Sequence, residues 1–210
     1  YDVFENAAAH HAFDITEAIC VDNPVKVRAG SLNDIAGADI VVNTAGLPTD
    51  WLTITPAENM AALKDSIVTC AAAVRDLAPE AIVISATNPL DPVNYYLWKV
   101  SGLKREQFLG FSYNDTLRLR KGVANYLGVP ASDVEAFVAG GHDKTKVPLY
   151  SSLKVCGEPR VLLPEEMKGI EEGMAVEWRA FLDLGIKRSA GWTTASHVSR
   201  MVEAITGLRD

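Results

Sequence analysis

Residues 38–46 read ADIVVNTAG, and this stretch decides the fold class, because a continuous apolar, β-branched run closed by glycine is typical of a buried strand followed by a tight turn. A second run of this kind, AIVIS, occupies residues 81–85. Between the two, TPAE at residues 55–58 has the form of a helix capping box with proline at the first helical position. Strand, helix and strand in this order predict parallel strands joined by a right-handed crossover.

The rest of the chain continues this alternation. Asn88-Pro89 breaks the chain after the strand at residues 81–85, and glycines at 102 and 128 are expected to end helices. The predicted fold class is α/β, with a parallel sheet followed by an α+β region. Further strands are expected at residues 25–27, 134–138 and 147–155, and further helices at residues 93–100, 115–127, 164–184 and 193–205.

Composition and charge exclude several function classes. Hydrophobic residues make up 48% and charged residues 22% of the 210 residues, which is typical of a folded globular protein and not of a disordered one. The net charge of −7 is spread over interspersed acids and bases, so we do not expect nucleic acid as a partner. No apolar run reaches the roughly 18 residues that a membrane span needs, so no membrane partner is expected.

The cysteines and the N-terminus indicate a cytoplasmic protein. The three cysteines, Cys20, Cys70 and Cys156, are widely spaced and form no CxxC pattern. We therefore expect neither a disulfide framework nor a metal site. The first residues contain no basic segment followed by an apolar one, so no secretory signal is visible, and a reducing cytoplasm is the expected location.

Two segments contain the residue types of a catalytic site. Residues 114–120 read NDTLRLR, and residues 140–148 read GGHDKTKVP. On a helix, Asp115 and Arg118 are three positions apart and share one face, whereas Arg120 points elsewhere. The histidine of the second segment lies in a glycine-flanked loop between two predicted strands, from which a side chain can reach a cleft.

These side chains suit the oxidation of a 2-hydroxy acid. The reaction needs a base for the hydroxyl proton while hydride leaves the carbon, and the ordinary pKa range of histidine makes His142 the candidate. A carboxylate such as Asp115 can fix the tautomer of that histidine and stabilise its imidazolium form. Arginine is the best two-pronged donor for a carboxylate, which makes Arg118 the candidate anchor for the substrate.

Three motifs resemble the malate/lactate dehydrogenase family in matching order and spacing. They are NPLD at residues 88–91, D-x-x-R at residues 115–118, and G-x-H followed by V-P within residues 140–148. The resemblance implies reversible hydride transfer between NAD and a small 2-hydroxy/2-oxo acid. Malate is narrowly favoured over lactate or a bulkier 2-hydroxy acid. The family also implies a homodimer or homotetramer.

The same resemblance assigns roles to single residues. It implies that His142 is the catalytic acid–base, that Asp115 is its partner and that Arg118 is the substrate carboxylate anchor. Asn88 would lie near both the nicotinamide and the substrate. Ala190 belongs to a small pair of residues that would lie beside the substrate.

The implied NAD site involves the first part of the chain. Thr44, Ala45 and Gly46 resemble the family's cofactor-lining turn, and Asn88 would contact the cofactor on its nicotinamide side. Asp2 resembles the acidic residue that ends the second strand of the family, where it holds the adenosine ribose and favours NAD over NADP.

The resemblance also predicts a division of the chain into two partial domains. Residues 1–100 would form a dinucleotide-binding domain with an incomplete Rossmann-like sheet, and residues 101–210 the substrate or catalytic domain. The sequence contains no G-x-G-x-x-G, and we expect both ends of the usual subunit to be missing.

Two further segments depart from the family pattern. Residues 47–55 read LPTDWLTIT, with no arginine, where the family's mobile lid has arginines that polarise the substrate carbonyl and help to select a dicarboxylate. Gly141, Asp143 and Lys144 replace the usual Glu and Gly-Asp around the histidine. A shifted loop or a different 2-hydroxy acid is therefore an open alternative.

Two other function classes stay open at this point. A short-chain dehydrogenase is indicated by the N-x-A-G turn at residues 43–46 and by Tyr95 and Lys99, which form Y-x-x-x-K, with Ser85 available as its serine. That interpretation gives Asp115, Arg118 and His142 no role. The other alternative is a non-catalytic Rossmann-like binding or assembly protein, which the missing phosphate loop and lid arginines would favour.

Overall fold

A three-stranded parallel sheet forms the first layer of the molecule. The computed structural model describes residues 1–21, 25–46, 54–185 and 191–208. Strands β1 (Ile40–Asn43), β2 (Ile82–Ser85) and β3 (Phe108–Gly110) lie side by side in that order and are all parallel. The predicted pair of buried strands is therefore confirmed as a parallel pair.

Two helices connect these strands. Helix α2 (Pro56–Leu77) joins β1 to β2, and α3 (Leu90–Ser101) joins β2 to β3. The predicted capping box begins α2: the Thr55 hydroxyl accepts a hydrogen bond from the Glu58 amide at 3.3 Å, and a Glu58 carboxylate oxygen accepts one from the Thr55 amide at 2.9 Å. Helix α3 ends at Gly102, whose φ of 72° is a conformation that glycine adopts without strain.

The first core lies between this sheet and its two helices. Apolar residues that recur on one face of α2 pack against the inner face of α3 and against β2 and β3. Their members are Leu63, Ile67, Ala71, Val74, Val83, Val93, Leu97 and Phe108. Helix α1 (Glu5–Ile19), at the N-terminal end of the chain, buries no residue in this structure.

A second core forms in the C-terminal half. Helix α4 (Tyr113–Leu127) ends at Gly128 and packs on α5 (Pro164–Asp183) and on a small antiparallel sheet of β4 (Val134–Glu135), β7 (Lys154–Val155) and β8 (Glu158–Pro159). Strands β5 (Val138–Ala139) and β6 (Val147–Pro148) form a separate antiparallel pair. Helix α6 is Gly191–Ile205. The predicted α/β class, a Rossmann-like parallel sheet followed by an α+β region, is confirmed.

Several predicted elements differ from the structure. Residues 25–27 are not a strand and belong to none of the sheets among the described residues. The two strands expected at 134–138 and 147–155 are each divided, into β4 and β5 and into β6 and β7. Helix α1 and strand β3 are not predicted by the sequence patterns at all. Strands of two or three residues are too short for the alternation that identifies a strand.

The boundary between the two regions stays a prediction at residue 100. Strand β3 pairs with β2, so the parallel sheet continues to Gly110 before α4 begins. Within the described ranges, no helix is both long and apolar enough to cross a membrane.

Candidate active site

The central contact of the site joins His142 to Asp115. Asp115 lies in the first turn of α4, and its 4% exposure means that it is buried. His142 lies in the loop between β5 and β6, and its Nδ1 is 2.6 Å from Asp115 Oδ2. An ionised carboxylate only accepts hydrogen bonds, so Nδ1 bears the hydrogen and Nε2 of the neutral ring is left as a proton acceptor.

The carboxyl group of Asp115 is held in its charged form. Burial alone would raise the pKa of Asp115, but hydrogen bonds and charge from His142 and Lys146 outweigh burial and lower that pKa from 3.8 to about 2. Asp115 is therefore ionised throughout the neutral range, as the partner of an imidazolium must be.

Arg118 lies beside the same carboxylate. Its Nη1 donates to Asp115 Oδ1 at 3.2 Å, one helical turn along α4, which is the shared face that the spacing predicts. Its guanidinium also lies over the Trp178 ring of α5, 4.9 Å from the ring centroid. Arg120 points away and donates from Nε to the Ala136 carbonyl at 3.2 Å.

Two further side chains, neither of them among the predicted site residues, fix the histidine loop. Asp91, in the first turn of α3, accepts the His142 backbone amide at 2.7 Å, so the loop is tied to the parallel-sheet region. Lys146 donates from Nζ to Asp115 Oδ1 at 3.0 Å. The position of Asp91 inside the NPLD motif could have indicated its contact with the loop. A lysine four residues after His142 only weakly indicates the contact between Lys146 and Asp115.

The turn after β1 contains the three residues expected to line a cofactor. Thr87 donates its hydroxyl to the Ala45 carbonyl at 2.8 Å, which ties the turn to the segment after β2. Among the described residues, a Cβ at Gly46 would meet the Thr44 carbonyl oxygen at 3.8 Å, an ordinary van der Waals distance. The turn lies at the carboxyl end of β1, where ligands of open α/β sheets bind.

The structure describes two of the other predicted cofactor and substrate residues. Asn88 is exposed after β2, and its carbonyl accepts a hydrogen bond from Asn59 Nδ2 at 3.0 Å. Asp2 is exposed, and one of its carboxylate oxygens accepts the Phe4 amide at 2.8 Å. Ala190 and the arginine-free residues 47–53 lie outside the described residues.

A cleft of about 560 Å³ opens next to the Asp115 helix turn. Gly110 at the carboxyl end of β3, Ser112 and Thr116 line one side, and His197 and Arg200 of α6 line the other. In the described part of the chain, no three His, Cys, Asp or Glu side chains are grouped so as to hold a metal ion.

Comparison with known sequences identifies the family of this chain. Residues 1–110 match the family model of the lactate/malate dehydrogenase NAD-binding domain. The chain belongs to the lactate/malate dehydrogenase family.

Relatives within this lactate/malate dehydrogenase family include both activities by name. The chain is 28% identical to an L-lactate dehydrogenase of Latilactobacillus sakei, over 97% of its own length and 65% of that protein. It is 34% identical to a malate dehydrogenase of Bacillus subtilis, over 96% of the chain and 66% of the relative. The chain therefore spans slightly less than two thirds of the length of these relatives.

Solved structures of the family superpose closely on the chain. The Cryptosporidium parvum lactate dehydrogenase complexed with lactic acid and nicotinamide adenine dinucleotide gives a TM-score of 0.86 at 30% identity, over 97% of the chain and 67% of that structure. The malate dehydrogenase of the same organism also gives 0.86, at 27% identity, over 97% and 68%. The resemblance inferred from the motifs is confirmed, and the matched domain agrees with the expected cofactor, NAD.

The positions of Tyr95, Lys99 and Ser85 do not support the short-chain dehydrogenase alternative. Tyr95 is 58% exposed on the outer face of α3, and the Lys99 ammonium lies over the Trp98 ring, 4.1 Å from its centroid. Ser85 is fully buried at the end of β2. The three residues therefore do not form a common open site.

Proposed function

We propose that the protein transfers a hydride reversibly between NAD and a small 2-hydroxy/2-oxo acid. The observation that supports this function best is the single buried carboxylate of Asp115, which contacts both the imidazole of His142 and the guanidinium of Arg118. A base and a carboxylate anchor are the two groups that the reaction requires of the protein.

His142 is the proposed acid–base. With Nδ1 hydrogen-bonded to Asp115, the free Nε2 accepts the proton of the substrate hydroxyl during oxidation and returns it during reduction. The negative charge of Asp115 stabilises the imidazolium that this step creates, and the short contact fixes the ring orientation.

Arg118 is the proposed anchor of the substrate carboxylate. Only one of its five N–H donors is used by Asp115 in the contact described above, so a planar pair of donors stays available for a carboxylate. The Trp178 ring beneath the guanidinium restricts its movement. Asn88 and Ala190 are the further residues that we propose beside the substrate.

The predicted cofactor residues that the structure describes fit NAD. The exposed Asp2 carboxylate has one oxygen engaged by a backbone amide and the other available for ribose hydroxyls. Thr44, Ala45 and Gly46 follow β1 and Asn88 follows β2, so all four lie at the same carboxyl-terminal edge of the sheet. When bound, NAD takes up or supplies the hydride.

Malate is the narrowly favoured substrate within this proposal. The malate dehydrogenases among the relatives reach 34% identity, against 28% for the lactate dehydrogenase of L. sakei. The lack of arginine in residues 47–53 favours lactate or a bulkier acid instead, because a second carboxylate has no cation there. Values of kcat/KM for oxaloacetate, pyruvate and a branched 2-oxo acid decide between these substrates.

Assembly, location and domain division are further proposals. We expect a homodimer or homotetramer in the cytoplasm, with a dinucleotide-binding domain at residues 1–100 and a substrate domain at residues 101–210. Light scattering on the full-length protein tests the subunit number. Limited proteolysis tests the domain division, because a boundary near residue 100 predicts cleavage on the N-terminal side of β3.

The function is tested by two histidine variants of the full-length protein. His142→Asn is expected to abolish turnover and to leave NAD binding, measured by calorimetry, unchanged. His10→Asn is the control, because His10 is exposed on α1 and the ring contact described for it is with His11, 5.4 Å between centroids. NAD binding without turnover by the unmodified protein would favour the non-catalytic binding module.

A further inference from the structure

Lys146 is a charged residue of the site that has no role in the proposed reaction. It lies immediately before β6, its side chain is 46% exposed, and its Nζ is 3.0 Å from Asp115 Oδ1. A long lysine side chain has considerable freedom at such a position, so its placement on a buried carboxylate is a specific interaction and not a solvated surface charge.

The two oxygens of Asp115 are divided between its partners. Among the described residues, Oδ2 accepts the His142 ring nitrogen at 2.6 Å, whereas Oδ1 accepts both Lys146 and Arg118, at 3.0 and 3.2 Å. Because Lys146 and Arg118 occupy one oxygen, the other stays available for the histidine. Lys146 thereby fixes the rotation of the carboxylate about its own axis.

The charges around His142 come from three elements, helices α4 and α3 and the loop between β5 and β6. Asp115 and Arg118 belong to α4, Asp91 of α3 holds the loop backbone, and Lys146 precedes β6. Asp143, the neighbour in the loop, is engaged by the amide and hydroxyl of Thr145 at 2.7 and 2.6 Å. When the imidazole gains a proton, Asp115 must balance a third positive group, and the charge of Lys146 opposes that proton.

We propose that Lys146 is a positioning residue that acts through Asp115 and extends the pH range in which His142 accepts the substrate proton. This inference rests on the proposed function. Because Lys146 makes the imidazolium less favourable, the neutral, proton-accepting ring persists to lower pH. Hydroxy-acid oxidation is favoured there, and reduction of the 2-oxo acid, which needs the imidazolium, ends at a correspondingly lower pH.

The direct test is the pH profile of Lys146→Met in the full-length protein. Loss of the positive charge lets the imidazole hold its proton more tightly. The acid limb of kcat/KM for hydroxy-acid oxidation is then expected to move to higher pH by about half a unit, as befits a partly exposed ion pair. The alkaline limb of 2-oxo acid reduction moves in the same direction. Lys146→Arg keeps the charge and is expected to restore the original profile.

Lys144→Met is the matched control for the loop. It removes a lysine two positions away that makes no ion pair among the described residues, so its profile is expected to coincide with that of the unmodified protein. Lys146→Gln provides a second neutral variant should methionine impair folding. An unmoved acid limb in the neutral variants, a shift to lower pH, or an equal shift in Lys144→Met would overturn the inference.

A titration of the His142 ring by NMR separates this inference from the proposed function. The ring signal is assigned by its disappearance in His142→Asn, and its titration requires no turnover. A midpoint that rises in Lys146→Met supports the coupling even if no acid is turned over, in which case only the proposed reaction fails. An unchanged midpoint in an active enzyme refutes the role of Lys146 alone.

Discussion

At the scale of single residues, Asp115 is the group on which the site depends. It is buried, ionised, and accepts hydrogen bonds from an imidazole, an ammonium and a guanidinium. A buried carboxylate is costly unless such partners compensate for its lost hydration. Because Arg118 lies on α4 and His142 and Lys146 lie in the loop between β5 and β6, the ion cluster also links that helix to the loop.

The lowered pKa of Asp115 predicts an acid-dependent loss of stability. The pKa of this carboxyl is about 2 when folded and 3.8 ordinarily, so its contribution is complete above about pH 4 and is lost as the pH falls towards 2. The shift corresponds to about 2 kcal/mol. The free energy of unfolding, measured with urea between about pH 4 and pH 2, is expected to fall by about 2 kcal/mol more in the unmodified protein than in Asp115→Asn. The same pH dependence of the unfolding free energy in both proteins would contradict an ionised Asp115.

The stacking of Arg118 on Trp178 predicts a specific effect on substrate affinity. Trp178→Ala removes the ring that holds the guanidinium, a contact of about 0.5–2 kcal/mol, and is expected to raise KM for the acid several-fold with little change in kcat. Phe181→Ala is the control, because Phe181 stacks on Trp178, with centroids 5.3 Å apart, and no contact with Arg118 is described for it. Equal effects of the two variants on KM would attribute the change to α5 as a whole.

At the scale of elements, the loop between β5 and β6 determines where His142 lies. The pairing of Ala139 with Val147 closes a seven-residue loop, 140–146, and Asp91 holds its backbone from α3. Gly140 begins the loop with φ of 90°, and a Cβ there would come within 2.6 Å of the Thr145 carbonyl oxygen. Only glycine satisfies both conditions.

Gly140→Ala is therefore expected to disturb both stability and catalysis. The left-handed backbone and the clash with another backbone atom together cost about 1–3 kcal/mol or more, measured by urea unfolding, and turnover falls because His142 moves. Gly157→Ala is a matched control in the turn between β7 and β8, where φ is 81° but no atom lies within 4 Å of the added Cβ. It has the conformational cost without the collision. Equal losses in both variants would rule out the collision as the cause.

Local patterns were sufficient for part of this site and insufficient for the rest. The shared face of Asp115 and Arg118 follows from helical spacing, and the capping box that begins α2 follows from four letters of sequence. The contacts of Asp91 and Lys146 depend on how a two-residue strand pair closes a loop against two helices. No local periodicity predicts such packing, because β5 and β6, with two residues each, span a single repeat of the strand alternation.

At the scale of the whole molecule, two cores meet at the proposed site. The parallel sheet with α2 and α3 presents the cofactor-lining turn and Asp91, and the core around α4 and α5 presents Asp115, Arg118 and Trp178. The α/β class was predictable because β1 and β2 are continuous apolar runs separated by a helix. The small antiparallel strands depend on tertiary pairing, which explains why their number and bounds were not predicted.

The most direct test of the account follows a label from substrate to cofactor. The full-length protein and its His142→Asn variant are incubated with NAD and a 2-hydroxy acid bearing deuterium on C2, and the nicotinamide is analysed by mass spectrometry. We expect deuterium on the nicotinamide with the unmodified protein and none over the same time with the variant, although both bind NAD. No label transfer by the unmodified protein, or equal transfer by the variant, would contradict the proposed role of the His142, Asp115 and Arg118 cluster.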